Sequence, residues 1–209
     1  MTPVPLMPKI NEIFWSAQGE GLNSGLSAIF IRLAGCSLRC PYCDTRCAWS
    51  RGREMSTDEI AAAVAVLQTS TPGARLVLTG GEPLEQDLKE LVNVLRRRHY
   101  FTAVETNGLH FQDLPIDWWT VSPKDKAGFR VHPRLWPRIS EIKLVVTPAL
   151  DLAVLKNFRC RSQAPIILQP QWGARNKFLS TLELFQACAR GGIPAVRLGL
   201  QLHRVYRIP

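Results

Sequence analysis

Three cysteines in one short segment constrain this chain more than any other feature. Cys36, Cys40 and Cys43 follow the spacing C-x3-C-x2-C within the loop 36–45. Cysteine thiolates are the usual protein ligands of iron–sulfur clusters, and a loop of this length lets three sulfurs converge on one cube. A [4Fe–4S] cluster held in this way has a fourth iron without a protein ligand. The spacing therefore predicts a cluster that can bind a small molecule directly.

Zinc is the alternative that the cysteines leave open. A structural zinc ion takes four ligands in a tetrahedron, and Cys47 could supply a fourth thiolate. Zinc sites, however, generally use two separated pairs of ligands rather than one tight run. We therefore favour the cluster and keep a zinc-stabilised binding module without catalysis as the alternative from another class of protein.

The composition is typical of a globular protein with a substantial core. A length of 209 residues predicts a single domain spanning 1–209, and 46% hydrophobic against 21% charged residues argues against disorder. No apolar run is long enough for a membrane span, and residues 1–8 have no signal-peptide pattern. We therefore expect a cytoplasmic protein, in which clustered cysteines are more often metal ligands than disulfides.

The net charge of +9 does not by itself indicate a nucleic-acid-binding protein. The basic residues are scattered along the chain, and their densest run, at 96–98, lies at the end of a predicted helix. Cations are favourable there because they oppose the negative end of the helix dipole. We expect neither nucleic acid nor a membrane as a partner.

Strands that alternate with helices predict an α/β fold. The predicted strands are residues 10–16, 28–33, 75–79, 101–105, 118–121, 141–146, 165–169 and 195–198. One helix starts at a capping box, Ser56 with Glu59, and a second carries an apolar stripe from Leu84 to Leu95. The residues expected on a final helix are Phe178, Leu182, Phe185 and Ala189. Since some later helices look short or missing, we expect an incomplete TIM-type β/α barrel.

Polar and glycine-rich segments follow the predicted strands. These segments are the cysteine loop, G-G-E-P, E-T-N-G, S-P-K and Gln169-Pro170. Ligands bind at the carboxyl ends of the strands in parallel α/β folds, so five such segments predict one site. Arg32 lies inside a buried strand, where it needs either an ion-pair partner in the core or the carboxylate of a ligand.

Segments along nearly the whole chain resemble the 7-carboxy-7-deazaguanine synthases of the radical SAM superfamily. C-x3-C-x2-C and G-G-E-P are typical of the superfamily, whereas Q-G-E-G (18–21), C-D-T (43–45) and Q-L-H (201–203) narrow the resemblance to this family. The resemblance implies a homodimer that acts on a free small molecule in queuosine and 7-deazapurine biosynthesis. A glycyl-radical-activating enzyme shares the superfamily motifs and is the alternative enzyme.

The implied reaction converts 6-carboxy-5,6,7,8-tetrahydropterin to 7-carboxy-7-deazaguanine with loss of ammonia, so that the enzyme is a carbon–nitrogen lyase. The implied cofactors are one [4Fe–4S] cluster per subunit, S-adenosylmethionine (SAM) and Mg2+, with flavodoxin or ferredoxin as the reducing partner. No ordinary side chain can remove an unactivated hydrogen, so the cofactors carry the difficult step. The protein places the substrate and excludes water.

The resemblance also implies which residues bind the cofactors. Cys36, Cys40 and Cys43 match the cluster ligands, and Thr45 matches a ligand of Mg2+, a hard ion that prefers oxygen. The residues that match SAM contacts are Gly81, Ser122, Pro123, Lys124, Gln169, Pro170, Gln171 and Trp172.

A second set of residues matches the substrate contacts of the family. These residues are Ala17, Gln18, Gly19, Arg32, Thr79 and Pro209. Arg32 would pair with the pterin carboxylate in the bidentate geometry that arginine favours, and Pro209 would offer a terminal carboxylate to the N–H donors of the ring. The roles of Glu20, Glu105 and Asn107 stay open, with a structural role in turns as the alternative.

Overall fold

The computed structural model describes residues 7–173 and 175–209. Contacts between Cα atoms divide the chain into two compact units. One contains the described residues up to Ser16 together with Leu26–Glu105 and Gln112–Trp118, and the other contains Ala17–Gly25, Thr106–Phe111 and Trp119–Pro209. None of the helices in the described part of the chain is both long and apolar enough to cross a membrane.

The first unit contains five strands. The last residues of two of them, Ala17 and Thr106, belong to the second unit. The five strands are β1 (Lys9–Ala17), β2 (Ser27–Leu33), β3 (Arg53–Glu54), β4 (Arg75–Gly80) and β5 (Thr102–Thr106). Their order in the sheet is β3-β1-β2-β4-β5. β3 is antiparallel to β1, whereas β2, β4 and β5 are mutually parallel. The carboxyl ends of β2, β4 and β5 therefore lie at one edge of this sheet.

The two faces of β2 have different surroundings. Ile29, Ile31 and Leu33 are fully buried, and the helix α1 (Thr57–Ser70) packs against β2 and against α2 (Lys89–Arg97). Ala28 and Phe30 point to the opposite face, where they join a smaller apolar cluster with Val77 and Ala103. Arg32 follows the same alternation, so it projects from the face that the helices do not cover.

The second unit contains four parallel strands in sequential order, except for Trp118, the first residue of one of them. They are β6 (Trp118–Val121), β7 (Glu141–Val145), β8 (Ile166–Gln169) and β9 (Val196–Leu198). The helices of this unit are α3 (Leu152–Arg161), α4 (Arg175–Arg190) and α5 (Leu202–Tyr206). Leu144, Leu155, Phe158 and Cys188 form part of its core. This repeated strand–helix order confirms the predicted α/β class.

Each strand predicted from the sequence is present, with ends that coincide or differ by one residue. The sequence analysis missed the two-residue strand β3 and the helices α3 and α5. α3 begins where the side chain of Asp151 accepts a hydrogen bond from the backbone N–H of Val154. This is an ordinary N-cap, and it shows that the connection between β7 and β8 does contain a helix.

The second predicted helix begins later than expected. Leu84 lies in a short 3-10 turn, Pro83–Glu85, and α2 starts only at Lys89. The side-chain amide of Gln112 donates hydrogen bonds to the carbonyls of Leu84 and Gln86, and its oxygen accepts one from the N–H of Leu88. Because a side chain from elsewhere satisfies these backbone groups, no helical turn is needed there.

The apolar stripe predicted on α4 is only partly buried, and α4 is not the last helix of the chain. Phe178 is 38% exposed, Leu182 is 41% exposed and Ala189 is also exposed. The buried positions of α4 are Thr181 and Cys188. Apolar residues occur on two faces of this helix, so their spacing alone does not identify the face that packs.

The capping box at the start of α1 provides a direct test of the local fold. The Ser56 hydroxyl accepts from the N–H of Glu59, and the Glu59 carboxylate accepts from the N–H of Ser56. We expect Ser56→Ala to lower the free energy of unfolding by about 1 kcal/mol. Urea denaturation followed by circular dichroism measures the change. Ser70→Ala, at the exposed far end of α1, is the control and should have little effect; equal losses would contradict the capping role.

Candidate active site

The cysteine loop is fastened to the turn that follows β4. The N–H of Gly81 donates to the carbonyl of Leu33 at 2.9 Å, and the N–H of Glu82 donates to the carbonyl of Gly35 at 2.7 Å. A Cβ added to Gly81 would lie 1.8 Å from the Gly35 oxygen, so only glycine permits this approach. A SAM amino group donates hydrogen bonds, so the backbone group of Gly81 that could accept one is its carbonyl.

Side chains from the same turn also hold the cysteine loop. The Glu85 carboxylate accepts hydrogen bonds from both the backbone N–H and the hydroxyl of Ser37, the residue after the first cysteine. The Gln86 amide donates to the carbonyl of Ala34 at 2.7 Å. The G-G-E-P segment and the two residues after it thus position the cysteines. The sequence analysis did not identify the roles of Glu85 and Gln86.

The cysteine thiols are not gathered as a tetrahedral zinc site would require. All six cysteines lie in the described part of the chain, and none forms a disulfide. Zinc–sulfur bonds of about 2.3 Å in a tetrahedron bring the sulfurs to within roughly 4 Å of one another. Among the described residues, no three cysteine sulfurs lie within 4.8 Å of one another. Cys47 instead directs its thiol to Asn11 Oδ1 at 3.8 Å.

Arg32 and Thr79, two of the predicted substrate contacts, are neighbours in the first unit. They are partners in the register of the parallel pair β2–β4, and both are partly exposed. Arg32 Nε lies 2.9 Å from Glu12 Oε1, and its guanidinium carbon lies 5.1 Å from the centroid of the Phe14 ring. An ion-pair partner for Arg32 is therefore present. The two terminal nitrogens of its guanidinium have the geometry for a carboxylate.

Thr45, the predicted Mg2+ ligand, is the last residue of the cysteine loop. Its hydroxyl donates to Asp44 Oδ1 at 2.9 Å, and Asp44 is exposed. A hydroxyl beside a carboxylate is the kind of oxygen donor that Mg2+ prefers. The sequence analysis did not assign Asp44, although its position within C-D-T was a signal for it.

The predicted SAM contacts in the second unit are held by local hydrogen bonds. Lys124 Nζ donates to Ser122 Oγ at 2.7 Å, and the N–H of Ser122 donates to the carbonyl of Thr106. Gln171 donates to the carbonyl of Val146 at 2.9 Å, which ties the segment after β8 to the end of β7. Trp172 is 48% exposed. These residues lie at the carboxyl ends of β6 and β8, as predicted.

The buried side-chain oxygen of Gln169 supports the prediction that this residue contacts a ligand. Gln169 is 2% exposed, and its Oε1 accepts no hydrogen bond from the part of the chain that the structure describes. A Cβ added to Gly199 would lie 2.5 Å from this oxygen. A buried carbonyl oxygen without a donor is costly, and a donor group of a bound ligand would satisfy it.

Asn107 and Glu20, whose roles the sequence left open, have structural functions. The Asn107 side chain accepts a hydrogen bond from the N–H of Leu109 at 2.9 Å, and the Thr106 hydroxyl accepts one from the N–H of Gly108. These bonds form the turn that follows β5. Glu20 takes part in a buried ion pair with Lys143 Nζ at 2.6 Å.

The ion pair of Glu20 explains its ionisation. Burial by itself would raise the pKa of this carboxyl group, but the charge and hydrogen bond of Lys143, the hydrogen bond from Gln201 and the nearby His203 outweigh it and lower the pKa to about 2. Glu20 is therefore a carboxylate throughout the physiological range. The sequence analysis named Gln201 only as part of Q-L-H and did not identify Lys143, although the charges of Glu141 and Lys143, alternating within an apolar strand, were a signal.

Comparison with known proteins identifies the family. The Radical SAM superfamily matches residues 30–123. A 7-carboxy-7-deazaguanine synthase from Prochlorococcus marinus is 32% identical over 93% of this chain and 95% of the relative. One from Bacteroides thetaiotaomicron is 39% identical over 67% of this chain and 71% of the relative. The chain belongs to the 7-carboxy-7-deazaguanine synthase family.

A solved structure of this family agrees with the fold. The crystal structure of QueE from Escherichia coli matches with a TM-score of 0.75 and 30% sequence identity, covering 94% of this chain and 95% of that chain. The fold class is thus that of the radical SAM superfamily, an α/β incomplete barrel. Membership of the family also identifies the protein as a radical SAM enzyme, whose cofactors are a [4Fe–4S] cluster and SAM.

The close approach at Gly81 predicts a defect in cluster assembly. Gly81→Ala forces the backbone of Gly35 away, so the cysteine loop moves. We expect the iron and acid-labile sulfide bound per chain after anaerobic reconstitution to fall about threefold or more, because a site misplaced by an ångström no longer holds its ligands together. Gly191→Ala is the control, since a Cβ there has its nearest neighbour at 3.1 Å. Full iron content in Gly81→Ala would contradict the role of this contact.

Proposed function

We propose that this protein is a 7-carboxy-7-deazaguanine synthase that converts 6-carboxy-5,6,7,8-tetrahydropterin to 7-carboxy-7-deazaguanine with loss of ammonia. The observation that carries the proposal is a cysteine loop fastened to G-G-E-P beside a pair of partly exposed polar residues, Arg32 and Thr79, on neighbouring parallel strands. Relatives with this named activity match over more than nine-tenths of the chain.

The cluster and SAM, when bound, supply the one-electron chemistry that removes an unactivated hydrogen from the substrate. Cys36, Cys40 and Cys43 would hold the cluster as thiolates. Gly81 would accept a hydrogen bond from the SAM amino group through its carbonyl. The residues that would line the rest of SAM are Ser122, Pro123, Lys124, Gln169, Pro170, Gln171 and Trp172.

The protein's own contribution is to place the pterin and to hold its charge. Arg32 would pair with the pterin carboxylate through its terminal nitrogens, and its Nε lies 2.9 Å from Glu12 Oε1. Thr79, next to Arg32 in the register, would contact the ring. The remaining substrate contacts in this proposal are Ala17, Gln18, Gly19 and Pro209.

Mg2+ would bind at the end of the cysteine loop. Thr45 would supply a hydroxyl oxygen, and the neighbouring Asp44 carboxylate, to which Thr45 donates at 2.9 Å, would strengthen the attraction for the cation. The chemistry that Mg2+ would add is the orientation and charge stabilisation of substrate oxygens.

The wider setting follows from the same proposal. We expect a single catalytic domain in a cytoplasmic homodimer that takes electrons from flavodoxin or ferredoxin and feeds queuosine and 7-deazapurine biosynthesis. Exposed apolar side chains on and near β9 and α5 support the homodimer, because such surface is usually covered by a partner. These side chains are Leu198, Leu200, Val205 and Tyr206.

The decisive experiment is an anaerobic assay of the reconstituted protein with a strong reductant, SAM, Mg2+ and 6-carboxytetrahydropterin. We expect 7-carboxy-7-deazaguanine, detected by mass spectrometry. Formation of 5′-deoxyadenosine without this product would support the superfamily chemistry and contradict the proposed substrate. Bound zinc in place of iron and sulfide would contradict the whole assignment.

Substitution of Arg32 tests the anchor for the pterin carboxylate. We expect Arg32→Ala to lower kcat/KM for the pterin about 100-fold, because a charge-assisted bidentate contact is lost, while the protein still binds its cluster. Glu12→Gln is the matched control, since it removes the ion pair of Arg32 but leaves the guanidinium. If Glu12→Gln lost as much activity as Arg32→Ala, the structural ion pair rather than the anchor would explain both results.

Substitution of Thr45 tests the Mg2+ site. We expect Thr45→Ala to raise the Mg2+ concentration needed for half-maximal activity about tenfold, because the cation loses an oxygen ligand. Turnover measured over a range of Mg2+ concentrations gives this value. Thr69→Ala, on the exposed side of α1, is the control. An unchanged Mg2+ dependence in Thr45→Ala would exclude this residue as a ligand.

A further inference from the structure

A buried ion pair connects the Q-G-E-G segment to β7. Lys143 Nζ lies 2.6 Å from Glu20 Oε2, and the two side chains are 8% and 14% exposed. The other carboxylate oxygen, Oε1, accepts a hydrogen bond from Gln201 Nε2 at 2.7 Å. One carboxylate therefore joins three segments of the second unit, namely 17–25, β7 and the start of α5.

A second carboxylate on β7 holds the same segment. Glu141 is 2% exposed and lies two residues before Lys143, so both side chains project from one face of the strand. Glu141 accepts hydrogen bonds from the N–H of Leu22 at 2.6 Å and from the Thr120 hydroxyl at 2.8 Å. A Cβ added to Gly21 would lie 2.2 Å from Glu141 Oε1. β7 thus holds the segment 17–25 at two positions.

The backbone and side chains of the Q-L-H segment complete this arrangement. The N–H of Leu202 donates to the carbonyl of Gly19 at 2.8 Å. A Cβ added to Gly19 would lie 2.2 Å from Nδ1 of His203, so the imidazole packs directly on this glycine. The segments 17–19 and 201–203 therefore adopt their positions together.

We propose that Lys143 is a positioning residue for substrate binding, which holds Glu20 and thereby fixes the Q-G-E-G segment and the start of α5 in one arrangement. This inference rests on the proposed function, in which Gln18, Gly19 and Pro209 contact the pterin. Lys143 does not itself touch the substrate in this proposal. It sets the position of the residues that do.

Energetic considerations favour such a role over a purely stabilising one. Burial of two charges costs desolvation energy, and apolar residues of similar size often stabilise a protein equally well. Glu20 makes a fixed set of directed bonds, to Lys143 and Gln201, whereas apolar packing would specify no such orientation. These bonds therefore fix the orientation of Glu20, and a segment that contacts a ligand requires such a fixed orientation.

The test compares variants of the reconstituted enzyme in the anaerobic assay. We expect Lys143→Met to raise KM for the pterin about tenfold while KM for SAM changes less than about twofold, because only the pterin contacts are displaced. Lys143→Arg, which can still reach the carboxylate, should recover at least half of the affinity. Lys156→Met, on the exposed side of α3, is the matched control and should leave both KM values unchanged.

A double variant separates positioning from stability. Lys143→Met leaves a buried carboxylate without its cation, and Glu20→Gln in the same chain removes that charge. We expect the double variant to recover thermal stability but to keep a raised KM for the pterin, since Lys143 no longer holds residue 20. If KM recovered together with stability, or if Lys143→Met had the KM of the wild type, the inference would be overturned.

Amide hydrogen exchange makes the result independent of the proposed reaction. We expect Lys143→Met to speed exchange at residues 18–25 and 202–208, measured by mass spectrometry on the cluster-loaded protein without substrate. Unchanged exchange at both segments would overturn the inference. If the wild type made no product from the pterin, the proposed function would fail, and the exchange data would still decide whether Lys143 fixes these two segments.

Discussion

The N–H groups of Gly81 and Glu82 donate hydrogen bonds to the carbonyls of Leu33 and Gly35, and the position of the cysteine loop depends on these two bonds. They connect the end of β4 to the end of β2 at a distance that no side chain on Gly81 would permit. The three thiols follow within eight residues of that point. A cluster ligated by one flexible loop needs such a fixed base, because its sulfurs must stay at the corners of one cube.

In each unit, parallel strands carry charged residues between buried apolar ones. The carboxyl ends of parallel strands lie on one edge, and the loops that leave this edge need not pack against helices. Arg32 on β2 is one such residue, with Glu12 at 2.9 Å and Phe14 under its guanidinium. Glu141 and Lys143 are the first and third residues of β7 in the second unit. In each strand the charge alternates with fully buried apolar residues.

Much of the fold and the local part of the site could be predicted from the sequence. The strands were predictable because each is a short apolar run bounded by turn residues, and the start of α1 because Ser56 and Glu59 are three residues apart. The cysteine loop was predictable for the same reason, since its ligands are neighbours in the chain. The family resemblance then assigned roles to Arg32 and Thr79, and the register of β2 and β4 shows that these two are adjacent.

The rest of the site depends on contacts between distant segments, which local patterns do not contain. Lys143 and Glu20 are 123 residues apart, and Gln201 and Glu20 are 181 residues apart. The late start of α2 has a similar cause, because Gln112 satisfies backbone groups that a helical turn would otherwise use. In each case a tertiary contact overrode a local preference.

The buried pair of Glu20 and Lys143 shows how the fold combines stability with a defined geometry. Removal of one partner from such a pair typically costs about 3–5 kcal/mol, because the remaining charge is left without compensation. That cost is a large part of the roughly 5–15 kcal/mol by which a domain is stable. Loss of either partner alone would therefore remove a large part of the stability of the fold. The bonds of the pair also orient Glu20 towards Gln201, so a segment without regular secondary structure is tied to the start of α5.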